Sequence, residues 1–180
     1  SFSGGRAKLK SATPTSVTKN GTTFTLGLDI QGTGTGKEVL AVVPKESSIY
    51  DNAGNVALST QTTNTGKTKD LAGPIILSIT PKSDNTALIV EFDEETFTEA
   101  NSRAILDTSD ITLSLDGGNA VLTDPKPTSF ARDGASYTLG LALSGKVNGF
   151  ENITVQVQFN AIYDTLGNVA SPIQAINSTF

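Results

Sequence analysis

Apolar residues in this chain fall in short runs, and most runs are spaced two apart. Phe24, Leu26, Leu28 and Ile30 share one face of an extended segment, as do Leu88, Val90 and Phe92. Ile111, Leu113 and Leu115 alternate in the same way, and so do Ile153, Val155, Val157 and Phe159 with polar residues between them. Side chains at period two lie on one side of a pleated strand, so each run predicts a strand with one buried face. Val39 to Val43 is more fully apolar, and Pro44 ends its ladder pairing. Turn signals separate the runs: Asn20-Gly21, Gly32 to Gly36, Asp84-Asn85 and Asp116-Gly117-Gly118-Asn119. One patch departs from the pattern. Residues 93–106, opening with Asp93-Glu94-Glu95, tolerate a helix and predict a short helical turn on a crossover. Short strands with closely spaced turns predict an all-β antiparallel sandwich rather than alternating helices and strands.

The pattern occurs twice. Ile49-Tyr50-Asp51-Asn52-Ala53-Gly54-Asn55-Val56-Ala57 returns as Ile162-Tyr163-Asp164-Thr165-Leu166-Gly167-Asn168-Val169-Ala170. With an offset of about 113 residues, segment 1–65 lies on 114–178 without a gap, and roughly 26 positions are identical. Gly4-Gly5-Arg6-Ala7 meets Gly117-Gly118-Asn119-Ala120, and Pro14-Thr15-Ser16 meets Pro127-Thr128-Ser129. The second copy extends back to about Pro74, whereas the first begins opposite Ser114, with no counterpart of 74–113. The expected organisation is a first domain at 1–73, incomplete at its N-terminus, with a linker at 66–74, and a complete second domain at 74–180. The chain then reads as a window from a longer array, or as a subunit whose first domain exposes an open sheet edge and half a core.

Composition narrows the chemistry. The chain has 180 residues, 37% hydrophobic, and no Cys, His, Met or Trp. Thiol and imidazole chemistry are therefore excluded within it, and no disulfide braces its small cores. No apolar run reaches the ~18 residues needed to span a bilayer as a helix. A net charge of −5 and a pI near 4.6, with scattered Lys and Arg, argue against a nucleic-acid partner.

Pro74-x-Ile76, Asp84-Asn85 and Leu88-Ile89-Val90-Glu91-Phe92 resemble the opening of bacterial Ig-like repeats of large surface adhesins. Ser109-Asp110-Ile111-Thr112-Leu113-Ser114, Thr138-Leu139-Gly140-Leu141, Asn148-Gly149 and Tyr163-Asp164-x-x-Gly167-Asn168 continue the resemblance. It covers the second unit and the matching part of the first. It implies two Ig-like antiparallel β-sandwich domains in tandem, the first lacking its N-terminal strands, in an extracellular or cell-surface adhesin or filament. The implied partners are neighbouring Ig-like repeats or identical subunits, with cell-surface glycans or proteins as targets. The implied role is length and rigidity.

Asp51-x-x-Gly54-Asn55 and Asp164-x-x-Gly167-Asn168 are the sharpest local motifs. Asp at the first position and Gly at the fourth fit a turn in which the Asp side chain bonds the backbone. The alternative is calcium held by Asp51, Asn55, Asp164 and Asn168, whose oxygens are hard ligands; other loops would have to complete the shell. Calcium is the only cofactor this sequence brings into question. Asp93-Glu94-Glu95 reads as a solvated turn, and the common acid/base and nucleophile sets are missing, so the chain is not read as an enzyme. Asn20, Asn152 and Asn177 head glycosylation triplets, which matter only in a glycosylating source. Two other functions stand beside length and rigidity, the first resting on the missing strands of the first domain. One is a self-assembling fibre subunit completed by β-strand addition from a neighbouring chain. The other is a carbohydrate-binding module, disfavoured by 6% aromatic content, the absence of Trp and the expectation that most aromatics sit on inward faces.

Overall fold

A computed structural model describes residues 1–60, 63–101 and 103–180, with the side chains at 175–177 left aside. The chain is all-β, with antiparallel sheets throughout and no helix among the described residues. It divides into two compact units, Ser1–Leu71 and Ala72–Phe180.

The first unit holds β1 (Phe2–Ser3), β2 (Lys8–Leu9), β3 (Ser16–Asn20), β4 (Thr23–Gly27), β5 (Ile30–Gln31), β6 (Val39–Ala41) and β7 (Thr65–Lys67). They form one sheet in the order β1-β6-β7 and two pairs, β2-β5 and β3-β4. The β3–β4 hairpin closes with Asn20 opposite Thr23, so its loop is Gly21-Thr22, and Gly21 at φ 61 supplies the positive φ that a tight hairpin turn needs. Strand β7 takes in Gly66 and Lys67, two residues that the sequence assigns to the linker.

The second unit adds β8 (Ile76–Pro81), β9 (Ala87–Phe92), β10 (Ile111–Asp116), β11 (Val121–Leu122), β12 (Phe130–Asp133), β13 (Ser136–Gly140), β14 (Leu143–Ser144), β15 (Asn152–Val157) and β16 (Ala175–Thr179). A four-stranded sheet runs β12-β13-β9-β8 and a three-stranded sheet β10-β15-β16, with β11-β14 as a short pair. Their inner faces share one core. Ile79, Leu88, Val90, Tyr137 and Leu139 come from the first sheet, and Ile111, Leu113, Ile153, Val155 and Val157 from the second. This is the sandwich that period-two alternation dictates. Tyr137 sits edge-on to Phe92 and Phe130, at 5.8 and 5.4 Å, and its hydroxyl meets that of buried Thr96 at 2.8 Å. The Gln174 amide closes the end of the sandwich: its oxygen accepts from Ile76 N at 2.9 Å, and its nitrogen donates to Pro74 O at 3.0 Å.

The sheets of the two units correspond under the repeat. β2, β4 and β5 fall on β11, β13 and β14, and Phe2↔Leu40 repeats the pairing Leu115↔Ile153. The first unit has no counterpart of β8, of β9 or of the first four residues of β10 among its described strands.

Three expectations need correction. The described part of 93–106 forms no helix, because Phe97, 2% exposed, exchanges two 2.8 Å backbone hydrogen bonds with Tyr163 and holds the segment extended. The ungapped match of the copies also fails at its end. Leu40 pairs with Gly66, but Ile153 pairs with Ser178, so the first copy carries one extra residue before its last strand. Finally, Phe24 and Phe159, expected on the inner faces of their strands, lie in solvent. Phe24, Tyr50, Phe150 and Phe159 are exposed, and β15 ends at Val157, short of Phe159.

Candidate functional site

Each unit is stapled by a buried carboxylate. Glu38, at the start of the β6 segment, is fully buried. Its Oε1 accepts from Arg6 N and Ala7 N, both at 2.9 Å, and from the Thr35 hydroxyl at 3.0 Å. Its Oε2 accepts from Thr35 N at 2.8 Å and the Thr68 hydroxyl at 2.6 Å. Glu151, at the matching position before β15, is also fully buried. It accepts from Asn119 N at 2.8 Å, Ala120 N at 3.0 Å, Asn148 N at 3.0 Å and Gly149 N at 3.0 Å. Burial opposes ionisation in both, but converging donors outweigh it. Glu38 is held well below the usual carboxylate range, and Glu151 falls to about 2. The preceding glycine pair makes room. A Cβ on Gly5 would lie 2.1 Å from Glu38 Oε1, and one on Gly118 would lie 2.1 Å from Glu151 Cδ.

The two Asp-x-x-Gly-Asn motifs fold as expected turns. Asp51 Oδ1 accepts from Ala53 N at 2.9 Å and Asn55 N at 2.8 Å, while Oδ2 accepts from Asn55 Nδ2 at 2.8 Å. Asp164 repeats the arrangement with Leu166 N and Asn168 N at 2.8 Å and Asn168 Nδ2 at 2.7 Å. The Asn55 hydrogen bonds draw the Asp51 carboxyl below its ordinary value. Both oxygens of each carboxylate thus serve the turn, and each Asn turns its amide nitrogen, not its oxygen, to the Asp. The copies differ in setting, since Asp164 is buried and Asp51 exposed.

The third feature is an open apolar face on the first unit. Among its described residues Ala7 is the only buried hydrophobic. Residues that match core positions of the second unit lie in solvent. Phe24 is 56% exposed where Tyr137 is 1%, and Ile49 is 51% exposed where Ile162 is fully buried. Val42 is exposed where Val155 is fully buried. A groove of about 240 Å³ runs along this face, lined by Leu9, Pro14, Leu26, Leu28, Leu40 and Val42. Among the described residues no strand pairs with the outer edge of β4.

The remaining candidates are scattered. Asp93 accepts from Ile75 N at 2.9 Å, and Glu95 lies 3.7 Å from Arg132. Asn20 is exposed at the hairpin tip, and Asn152 is half-buried in the central strand of its sheet. The Asn177 side chain lies outside the described residues. No described helix is long and apolar enough to cross a membrane. Neither staple was singled out from the sequence, although Glu38 and Glu151 coincide under the repeat offset and so do the glycine pairs beside them. Compared with family models, curated proteins and solved structures, the chain matches none.

Proposed function

We propose that this chain is a structural module of an extracellular surface adhesin or filament, built on Ig-like repeats and supplying length and rigidity. One observation carries the reading: the same buried-carboxylate staple braces each half of the chain at matching positions, tying the glycine turn to the loop before β6 or β15. Such a staple serves the framework and leaves the carboxylate out of reach of any substrate. In a cysteine-free chain it takes over part of what a disulfide does, fixing two loops far apart in sequence.

The test is mechanical. The chain held by its two ends in an optical trap is expected to give a cooperative rip of roughly 370 Å as the Ala72–Phe180 sandwich opens, the contour of about 109 residues. Gradual extension with no rip would remove the spacer role.

A further inference from the structure

We propose that Asn20-Gly21 is a self-modifying site: the Asn20 side chain cyclises onto the Gly21 amide and opens to aspartate or isoaspartate. The chain's other Asn-Gly pair, Asn148-Gly149, is held out of this reaction by the Glu151 staple. The inference stands apart from the spacer role.

The step needs water and no other reactant. The Gly21 nitrogen attacks Asn20 Cγ. The N–Cγ bond forms, the Cγ–Nδ2 bond breaks, and the side-chain NH₂ leaves as ammonia with the proton from Gly21. Water then opens the cyclic imide at one of its two carbonyls. One opening gives aspartate in an ordinary backbone; the other gives isoaspartate, whose backbone runs through the side chain. Either product adds a negative charge. Glycine follows asparagine in this chain only at 20–21 and 148–149. Glycine favours the step because it has no Cβ to hinder its nitrogen and turns freely.

The first pair is open to attack. Asn20 and Gly21 are exposed at the tip of the β3–β4 hairpin. Among the described residues the Gly21 amide meets no acceptor and the Asn20 side chain has no partner. A Cβ on Gly21 would meet nothing within 4 Å, so a ring has room to close there. This exposure belongs to the hairpin and not to the open apolar face: the matching tip of the complete sandwich, Asp133-Gly134, is exposed as well. That tip closes in the same register with Asp in the place of Asn20, so the aspartate product fits the turn.

The second pair has the same residues in the opposite setting. Asn148 is also exposed, so access of solvent does not separate the two. Hydrogen bonding does. Gly149 N and Asn148 N both donate to Glu151 Oε2 at 3.0 Å. Asn148 Oδ1 accepts from Phe150 N at 3.1 Å, which fixes the side chain. The attacking nitrogen has to shed its proton, and shedding it beside a fully buried carboxylate brings two negative charges together.

The test incubates the full, folded chain at neutral pH over weeks, digests it at mildly acidic pH and reads each asparagine by isoaspartate-resolving mass spectrometry. Conversion at Asn20 is expected to run about tenfold or more faster than at Asn148. In concentrated urea the staple is gone, and the gap should close to about threefold or less. Glu151→Gln, kept well below its melting temperature, should speed conversion at Asn148 and leave Asn20 unchanged. Four results would overturn the proposal: no conversion at Asn20, equal rates in the folded chain, a gap that persists in urea, or an Asn148 rate unmoved in Glu151→Gln.

Discussion

Glu151 shows how one residue organises a whole corner of its unit. Four backbone amides converge on its carboxylate. Glu151→Gln keeps the shape but turns an NH₂ toward donors. It is expected to lower the melting temperature of its unit by roughly 5–15 °C, read by near-ultraviolet dichroism or calorimetry. The pH dependence follows from the lowered pKa. A carboxylate whose folded pKa lies below its unfolded value stabilises fully above the unfolded value, near 4.5, and loses that contribution as pH falls toward about 2. The stability gap between wild type and Glu151→Gln should therefore be constant above pH 4.5 and shrink below it, and a gap unchanged at pH 2.5 would refute the assignment. The Asp turns were legible because Asp, Gly and Asn have fixed jobs at fixed offsets. The staples were harder to read, since each Glu joins donors beside it to backbone amides about thirty residues away, and an isolated Glu carries no local signal. Asp164→Ala is expected to destabilise its unit by about 1–3 kcal/mol, because it removes a buried carboxylate that accepts from two part-buried turn amides and the Asn168 side chain. Asp51→Ala, in an exposed turn whose donors water can reach, should have a smaller effect on its own unit.

At the scale of elements, alternation located most strands because each needs one wet and one dry face. It located β9 and β10 well but overran β4, which ends at Gly27 although the period continues to Ile30, and β15, where Phe159 continues the period beyond the last ladder bond. It could not find two-residue strands such as β2 and β11, which are too short to show a period and exist through pairing with β5 and β14. The helix expectation at 93–106 failed for a related reason. Helix-tolerant composition yields to the buried pairing of Phe97 with Tyr163, which only the fold brings together. The matching strands β4 and β13 offer a direct comparison of context. Leu139→Ala removes a fully buried side chain and should cost about 2–5 kcal/mol. Leu26→Ala, at the equivalent place on the open face, should cost less than about 1 kcal/mol in the free chain. Chemical denaturation of both variants measures the difference, and equal losses would mean that the face is already covered.

For the whole molecule, the core is concentrated in one unit. All of the clustered buried residues belong to Ala72–Phe180. Heating is expected to show two transitions, the lower assigned to Ser1–Leu71 by loss of its amide signals, and a hydrophobic dye should bind the native chain at the exposed apolar residues of that unit. A single transition without dye binding would contradict the open face. Charge divides as unevenly as the core, with +3 on the first unit and −8 on the second, although the chain's total of −5 hides this. The repeat was visible to simple self-comparison because the identities cluster at turns and staples, where few residue types serve.

The extra residue before β7 has a consequence for inheritance. Repetitive genes exchange segments by recombination between copies. A crossover within the Ile49–Ala57 and Ile162–Ala170 blocks joins halves in register, because every position corresponds. Between Ala57 and β7 the extra residue is taken up without flipping the last strand, because Leu40↔Gly66 and Ile153↔Ser178 are equivalent ladder positions. Exchange between copies is therefore tolerant of length in the short stretch before the last strand, whereas the Tyr-Asp block allows none, since every one of its positions has a counterpart.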